Sequence, residues 1–343
     1  MISLKPLLPE SASRWVKETN PLSRIYRDRR RITPRPAFMY IEVTTRCNLS
    51  CRMCCRDTLK PGEIRDLEFE RFQAIVNEAE AFPGIAFHLY GIGEPLLYPH
   101  LPEAVDYVRS RFPQSDIVIN TNGRLLRGDM ADLVLTSDQI LISINAGTEE
   151  SYSWLTRSDG YREVTENVEA FLALRRDSQR YRATGRPSVS LQLLETDRTR
   201  GEEAAFRQRW EPHLGNSAEI NVKRLTNWGG AIDTNPLRSD IGDNGRRYPC
   251  LYLWRSVAVD VNADVFPCCE ALGRRRGSSL HLGNLREQRA AGLYFSRLLA
   301  HVRHLHLAAR YEELADCREC DIYRCHRNVW CRLPRPILGR HWI

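Results

Sequence analysis

Cys47, Cys51 and Cys54 stand within eight residues of one another in Cys47-Asn-Leu-Ser-Cys51-Arg-Met-Cys54. Three thiolates so spaced can bind three irons of a four-iron cubane and leave the fourth iron without a protein ligand. An open coordination position is what a metal site needs to act on a bound molecule. The alternative is a zinc knuckle completed by Cys55 or a distant His. A second group lies far downstream: Cys250, Cys268, Cys269, Cys317, Cys320, Cys325 and Cys331. Nearly 200 residues without a cysteine separate the groups, so the 11 cysteines point to two sites. The N-terminal MISLKPLLPESASRW has no long apolar segment after Lys5, and no run approaches the roughly 20 residues that span a bilayer. The chain is expected in the cytoplasm, where clustered cysteines bind metal or do redox chemistry and disulfides are disfavoured.

These residues need elements to position them, and the chain is long enough to supply them. Its 343 residues are 42% hydrophobic and 27% charged, which excludes wholesale disorder and allows one large or two modest domains. FMYIEVT (38–44) reads as a buried strand leading directly into the first cysteine loop. IAFHLYG (85–91), DIVINTNG, QILISINAG, SVSLQLLE and AEINVKRL read as five more. Helical periodicity lies between them, as in EFERFQAIVNEAEAF, LPEAVDYVRSRF and EVTENVEAFLALRR. Strand then helix, about six times over, predicts parallel βαβ units with right-handed crossovers, in an open sheet or a partly closed barrel. Residues 1–37 read as an N-terminal extension, helical from Ser11 to Arg29. After Trp228-Gly229-Gly230 a polar, turn-rich stretch reads as a linker. A smaller region, 245–335, holds a hairpin-like SVAVDVNADVFPCC, one long helix (288–314) and a cysteine-dense tail. A metal centre there would substitute for a small core. The net charge of +7 comes from a basic complement in which only four of 50 residues are lysine, the other 46 being arginine. These residues spread along the chain instead of forming a footprint, so no nucleic-acid partner is expected, nor a membrane one.

Cys-x3-Cys-x2-Cys directly after the first strand resembles the radical S-adenosylmethionine (SAM) superfamily, over about 38–225. The resemblance implies an α/β fold, a partial (βα)6 TIM-like barrel spanning 38–230. Further residues carry it. Met53 stands where that family places an apolar residue against the adenine. Gly91-Ile92-Gly93-Glu94-Pro95 is similar to its glycine-rich segment for the SAM amino group, with Gly91 and Gly93 allowing close backbone approach. Asn120-Thr121-Asn122-Gly123 ends the third strand as the family's TNG motif does. Ser143-Ile144-Asn145-Ala146 ends the fourth, where relatives contact the ribose and carboxylate of SAM, although many carry Asp in place of Asn145. Arg157 stands where relatives often pair an arginine with the SAM carboxylate. The implied chemistry is one-electron cleavage of SAM, bound to a [4Fe-4S] cluster held by Cys47, Cys51 and Cys54. The resulting 5′-deoxyadenosyl radical abstracts hydrogen from a C–H bond, with electrons from a reductant such as flavodoxin or ferredoxin.

The downstream pattern resembles the SPASM or twitch extension of radical SAM enzymes, which implies an auxiliary [4Fe-4S] cluster on Cys250, Cys268, Cys317 and Cys320. A zinc site with the same thiolates is the alternative. One auxiliary cluster is expected; two is the alternative. Cys269, Cys325, Cys331 and Cys55 remain as conceivable hydrogen-atom donors of an epimerase, or as buried apolar thiols. The 37 residues before the first strand are fewer than a leader-peptide-binding domain needs. A small polar natural-product substrate, an aminoglycoside or other sugar, is therefore expected, with epimerisation or dehydrogenation at a carbinol carbon. Glu195, Asp197 and Asp260 are candidate substrate contacts. Modification of a ribosomal peptide or protein side chain (epimerisation, crosslinking, sulfatase-type oxidation) is the alternative activity. A non-catalytic zinc or iron–sulfur scaffold is the alternative class.

Overall fold

A computed structural model describes residues 34–237, 247 and 249–322. Residues 1–33 of the N-terminal extension, including its expected helix, lie outside the described residues, as do Cys325 and Cys331. Six parallel strands, β1 (Phe38–Ile41), β2 (Ala86–His88), β3 (Ile117–Thr121), β4 (Gln139–Asn145), β5 (Ser188–Glu195) and β6 (Ala218–Arg224), pair in chain order. The apolar runs of β1 to β5 are buried, as in Ile140, Leu141 and Ile142 of β4, because helices cover the outside, whereas β6 at the sheet edge is only partly buried. Those helices include α1 (Phe69–Asn77), α2 (Leu101–Arg111), α3 (Asp129–Leu135), α4 (Glu149–Thr156), α5 (Tyr161–Asp177), α6 (Gln179–Thr184) and α7 (Glu203–Leu214). α5 shows the logic: Val164, Val168, Phe171 and Leu172 form one buried stripe. Below the sheet Asp138, just before β4, ties neighbouring elements together. It accepts from Arg109 (2.7 Å), Arg180 (2.9 Å) and the Ile117 amide (2.9 Å), with Arg186 also bound to it.

The sheet does not stop at β1. Strand β7 (Ser256–Val259), preceded by the short helix α8 (Tyr252–Arg255), pairs with β1 in parallel. β8 (Asp264–Phe266) and β9 (Gly283–Asn284) then add antiparallel strands. The hairpin expected within a separate region is thus an extension of the barrel sheet, in the order β6-β5-β4-β3-β2-β1-β7-β8-β9, open at both ends. The long helix expected over 288–314 is two, α9 (Ala290–Tyr294) and α10 (Arg297–Leu307). Ser296 between them adopts extended backbone, and its hydroxyl accepts from the Leu299 amide, so it starts a new helix instead of continuing the old one. A last short helix, α11 (Ala315–Glu319), carries Cys317 into the core.

Candidate active site

The loops after β1, β2 and β3 meet at the C-terminal edge of the sheet, where parallel sheets bind ligands. Beyond β1 the chain is held by side chains that fix the cysteine loop. Thr44 donates to Asp66 (2.6 Å), and Arg46 donates to Asp66 (2.9 Å) and to the Leu97 carbonyl (2.6 Å). Inside the loop, Arg52 donates through its amide to Leu155 O and through Nε to Trp154 O, both at 2.8 Å. Its guanidinium lies over the Trp154 ring. Cys47, Cys51 and Cys54 are partly exposed, whereas Cys55 is buried. Asn122 approaches Cys47 Sγ at 3.9 Å, and the Arg56 amide donates to Cys54 Sγ at 3.4 Å. Burial pushes the Cys47 thiol up to about 11 and the Cys51 thiol higher, while a hydrogen bond from Cys55 lowers that of Cys54. Three partly exposed thiols on one loop are the donor set for a cluster bound through three of its irons.

Glu94 is the hub of the neighbouring loops. Buried, it accepts from the Leu96 amide (3.1 Å), the Thr121 hydroxyl (2.7 Å) and the Asn122 amide (2.8 Å); burial raises its carboxyl to about 7. Gly91 and Gly93 have a packing reason beyond ligand approach. A Cβ on Gly91 would lie 2.6 Å from Glu42 Cγ, and one on Gly93 2.3 Å from the Thr44 carbonyl oxygen. Asn145 has φ +65° at a register shift between β4 and β5, a conformation Asn tolerates readily. Arg157, also left-handed, pairs with Asp57 of the cysteine loop at 2.7 Å. Met53 packs against the core, and its carbonyl accepts from Trp228 Nε1 at 3.2 Å.

A ladder of polar groups crosses the barrel interior. Ser143 Oγ lies 3.0 Å from Asn120 Oδ1 and 2.8 Å from Gln192 Oε1, to which Lys223 Nζ also donates (3.2 Å). Gln192 is fully buried, and its Nε2 has no partner among the described residues. Neither Gln192 nor Lys223 carries a motif, and only the strand register brings them to Ser143. Beside them stand Tyr40, Tyr90, Tyr252 and His88, with His88 Nδ1 2.9 Å from the Tyr90 hydroxyl. Cys269 lies within electrostatic reach of these three phenols and of Lys223, and burial pushes its thiol well up. Of the proposed substrate contacts, Asp260 is fully buried and held by Arg275 (3.0 Å), which also binds Glu42 (3.0 and 3.2 Å). Asp260 is a structural anion, not a surface carboxylate. Asp197 pairs with Arg200 on the surface.

Cys250, Cys268, Cys317 and Cys320 line one cavity of about 440 Å³, part of it open to solvent, together with His306 and Glu270. Burial raises all four thiols, Cys250 to about 11 and Cys317 to about 12, and repulsion from neighbouring thiols adds to it at Cys268, Cys317 and Cys320. Among the described residues no three His, Cys, Asp or Glu side chains gather closely enough to hold a single ion. Zinc demands four sulfurs each about 2.3 Å from one centre, whereas a cubane takes one thiolate on each of four irons. Four thiols lining one cavity are the donor set such a cubane takes. All nine cysteines among the described residues are free thiols.

Two family models match this chain: the radical SAM superfamily over residues 41–192, and SPASM, an iron–sulfur cluster-binding domain, over 250–321. The chain carries a radical SAM domain followed by a SPASM domain. Its cofactors are therefore SAM and a [4Fe-4S] cluster, with auxiliary iron–sulfur binding in the SPASM region. Over 94 residues it is 36% identical to the tungsten-containing aldehyde ferredoxin oxidoreductase cofactor-modifying protein of Pyrococcus furiosus, covering 27% of this chain and 26% of that one. Over 137 residues it is 28% identical to GTP 3′,8-cyclase of Chlorobaculum tepidum, covering 40% and 41%. The chain thus spans well under half the length of these relatives. Among solved structures it is similar to BtrN in complex with AdoMet and 2-DOIA, with TM-score 0.56, 17% identity and coverage of 83% of this chain and 93% of that one. It is also similar to Streptococcus suis SuiB bound to precursor peptide SuiA, with TM-score 0.58, 14% identity and coverage of 82% and 69%. At these identities the likeness is one of fold. No helix among the described residues is long and apolar enough to cross a membrane.

Proposed function

We propose that this cytoplasmic enzyme abstracts hydrogen from a carbinol C–H bond of a small polar substrate, an aminoglycoside or other sugar, and inverts that carbon. Residues 38–230 form the reactive barrel and 245–335 the auxiliary-cluster domain. Cys47, Cys51 and Cys54 hold the first cluster, and Cys250, Cys268, Cys317 and Cys320 the second. Met53, Gly91, Gly93, Glu94, Asn120, Ser143, Asn145 and Arg157 frame SAM. When bound, SAM and its cluster supply one-electron C–S cleavage and the hydrogen-abstracting power; a flavodoxin or ferredoxin supplies the electron. Gln192 and Lys223, which continue the ladder beyond Ser143, offer the acceptors and donors a polyhydroxylated molecule needs, and the phenols keep water out. BtrN, crystallised with the small molecule 2-DOIA, supports that substrate class.

The position of Cys269 carries the reading. It directly follows an auxiliary-site cysteine, packs partly buried against the core, and lies within electrostatic reach of Tyr40, Tyr90, Tyr252 and Lys223. There its S–H can be given to the substrate carbon on the face opposite the abstraction; one electron and one proton then restore the thiol. The test is turnover of reconstituted enzyme with SAM, dithionite and a panel of aminoglycosides and sugars in D2O. An epimerised product carrying one deuterium, lost in Cys269→Ala while 5′-deoxyadenosine still forms, supports it. Dehydrogenation is the second reading, favoured by the Trp228-Gly229 step that hydrogen-bonds Met53 and borders the auxiliary cavity. It predicts a product two hydrogens lighter and insensitive to Cys269→Ala.

A further inference from the structure

His306, on α10, is 1% exposed and borders the cavity lined by the four downstream thiols. Its Nδ1 lies 3.2 Å from the backbone amide of Cys250, and an amide can only donate, so Nδ1 accepts. A neutral imidazole accepting at Nδ1 carries its proton on Nε2. That Nε2–H is buried and has no acceptor among the described residues. Tyr311 packs edge-on against the ring, centroids 5.1 Å apart, and fixes its plane; the Arg247 guanidinium lies over the Tyr311 ring. Leaving a buried donor unpaired is costly, and a ring held this firmly therefore implies an acceptor supplied by what fills the cavity.

We infer that His306 Nε2–H donates a hydrogen bond to a sulfur of the auxiliary cluster and so raises the reduction potential of that cluster. A donor facing the sulfurs stabilises the extra negative charge of the reduced state. His306 is thus a tuning residue, not a ligand: the Cys250 amide occupies the lone pair of Nδ1, and Nε2 offers a proton instead of a lone pair. The inference rests on the reading that this cavity holds the auxiliary cluster, and the experiment separates the two.

The experiment starts from reconstituted protein in a Cys47→Ala/Cys51→Ala/Cys54→Ala background, which keeps only the downstream cluster. If no four-iron cluster loads there, the cavity reading fails before His306 is addressed. With the cluster loaded, an EPR-monitored redox titration compares His306, His306→Phe and His306→Gln. The Phe variant is expected to titrate at a more negative potential, with the reduced-to-oxidised ratio at fixed poise falling about tenfold, the equivalent of one hydrogen bond to a charged acceptor. The Gln variant, which keeps an N–H, should recover most of it. In the unsubstituted protein, ENDOR should show an exchangeable proton coupled to the reduced cluster that D2O removes. Equal potentials in all three proteins, equal shifts in Phe and Gln, no exchangeable coupled proton, or a strong directly bonded nitrogen coupling would each overturn the inference.

Discussion

Arg275 is the residue whose removal should most disturb the architecture without touching a cofactor. Its guanidinium sits between two carboxylates with no solvent exposure, Glu42 at 3.0 and 3.2 Å and Asp260 at 3.0 Å. Replacing it with Met keeps most of the stem's volume but strands both acids. Breaking a buried pair from one side costs about 3–5 kcal/mol. The remaining partners favour the lower end of that range. Glu42 still accepts from the Ile92 and Val261 amides, and Asp260 from those of Asn262 and Asp264. Glu42 already titrates above the usual carboxylate range because it is buried, and Arg275 is the main force holding it down. Losing Arg275 raises it further. A carboxyl raised in the folded state contributes stability below its unfolded value and loses it as pH rises through the folded one. The deficit of Arg275→Met should therefore shrink at mildly acidic pH and grow above neutrality. Adding Glu42→Gln should return about 1–3 kcal/mol of it. Urea denaturation of anaerobically prepared protein, followed by circular dichroism at several pH values, measures all three quantities. A deficit below about 1 kcal/mol, the range of ordinary exposed ion pairs, would refute the reasoning, as would one independent of pH.

Gly93→Ala should abolish SAM binding while leaving the iron content near normal, at a stability cost of about 1–3 kcal/mol, because its Cβ would lie 2.3 Å from Thr44 O; SAM titration and iron analysis check it. Glu94, held at about 7, contributes stability that is intact at the usual carboxylate value of about 4.5 and lost as pH climbs through 7. Glu94→Gln should flatten that fall in SAM-free protein, at a cost of roughly 1–3 kcal/mol for the acceptor it removes; denaturation across pH measures it. Replacing Cys250, Cys268, Cys317 or Cys320 by Ala should remove about four irons per chain and leave the signal of the first cluster, as Mössbauer spectra would show.

What the sequence makes legible here is local. The cysteine loop, the Gly91–Pro95 segment and the six strands announce themselves because each is a short run with its own periodicity or turn chemistry. The four auxiliary thiols were named from spacing and resemblance, and they converge on one cavity. What stayed hidden depends on pairing across long separations. Glu42 and Arg275 stand 233 positions apart, and nothing near either marks the other as its partner. Pairing of β7 with β1 is equally silent, since a strand's sequence does not name its neighbour. The break at Ser296 could have been read from its capping preference, but the apolar periodicity on both sides masks it. Gln192 looks like one polar residue inside an apolar strand, and its meaning appears only when the register sets it against Ser143.

The pairing of β7 with β1 also bears on solubility and on how such a chain can be divided. Without the stretch that begins near Tyr252, Phe38–Ile41 would become an exposed sheet edge, its Met39, Tyr40 and Ile41 now without cover and its amides free to template a neighbour. The region that carries the downstream thiols therefore also seals the barrel against self-association. A gene fragment encoding the barrel alone should yield inclusion bodies instead of a smaller enzyme.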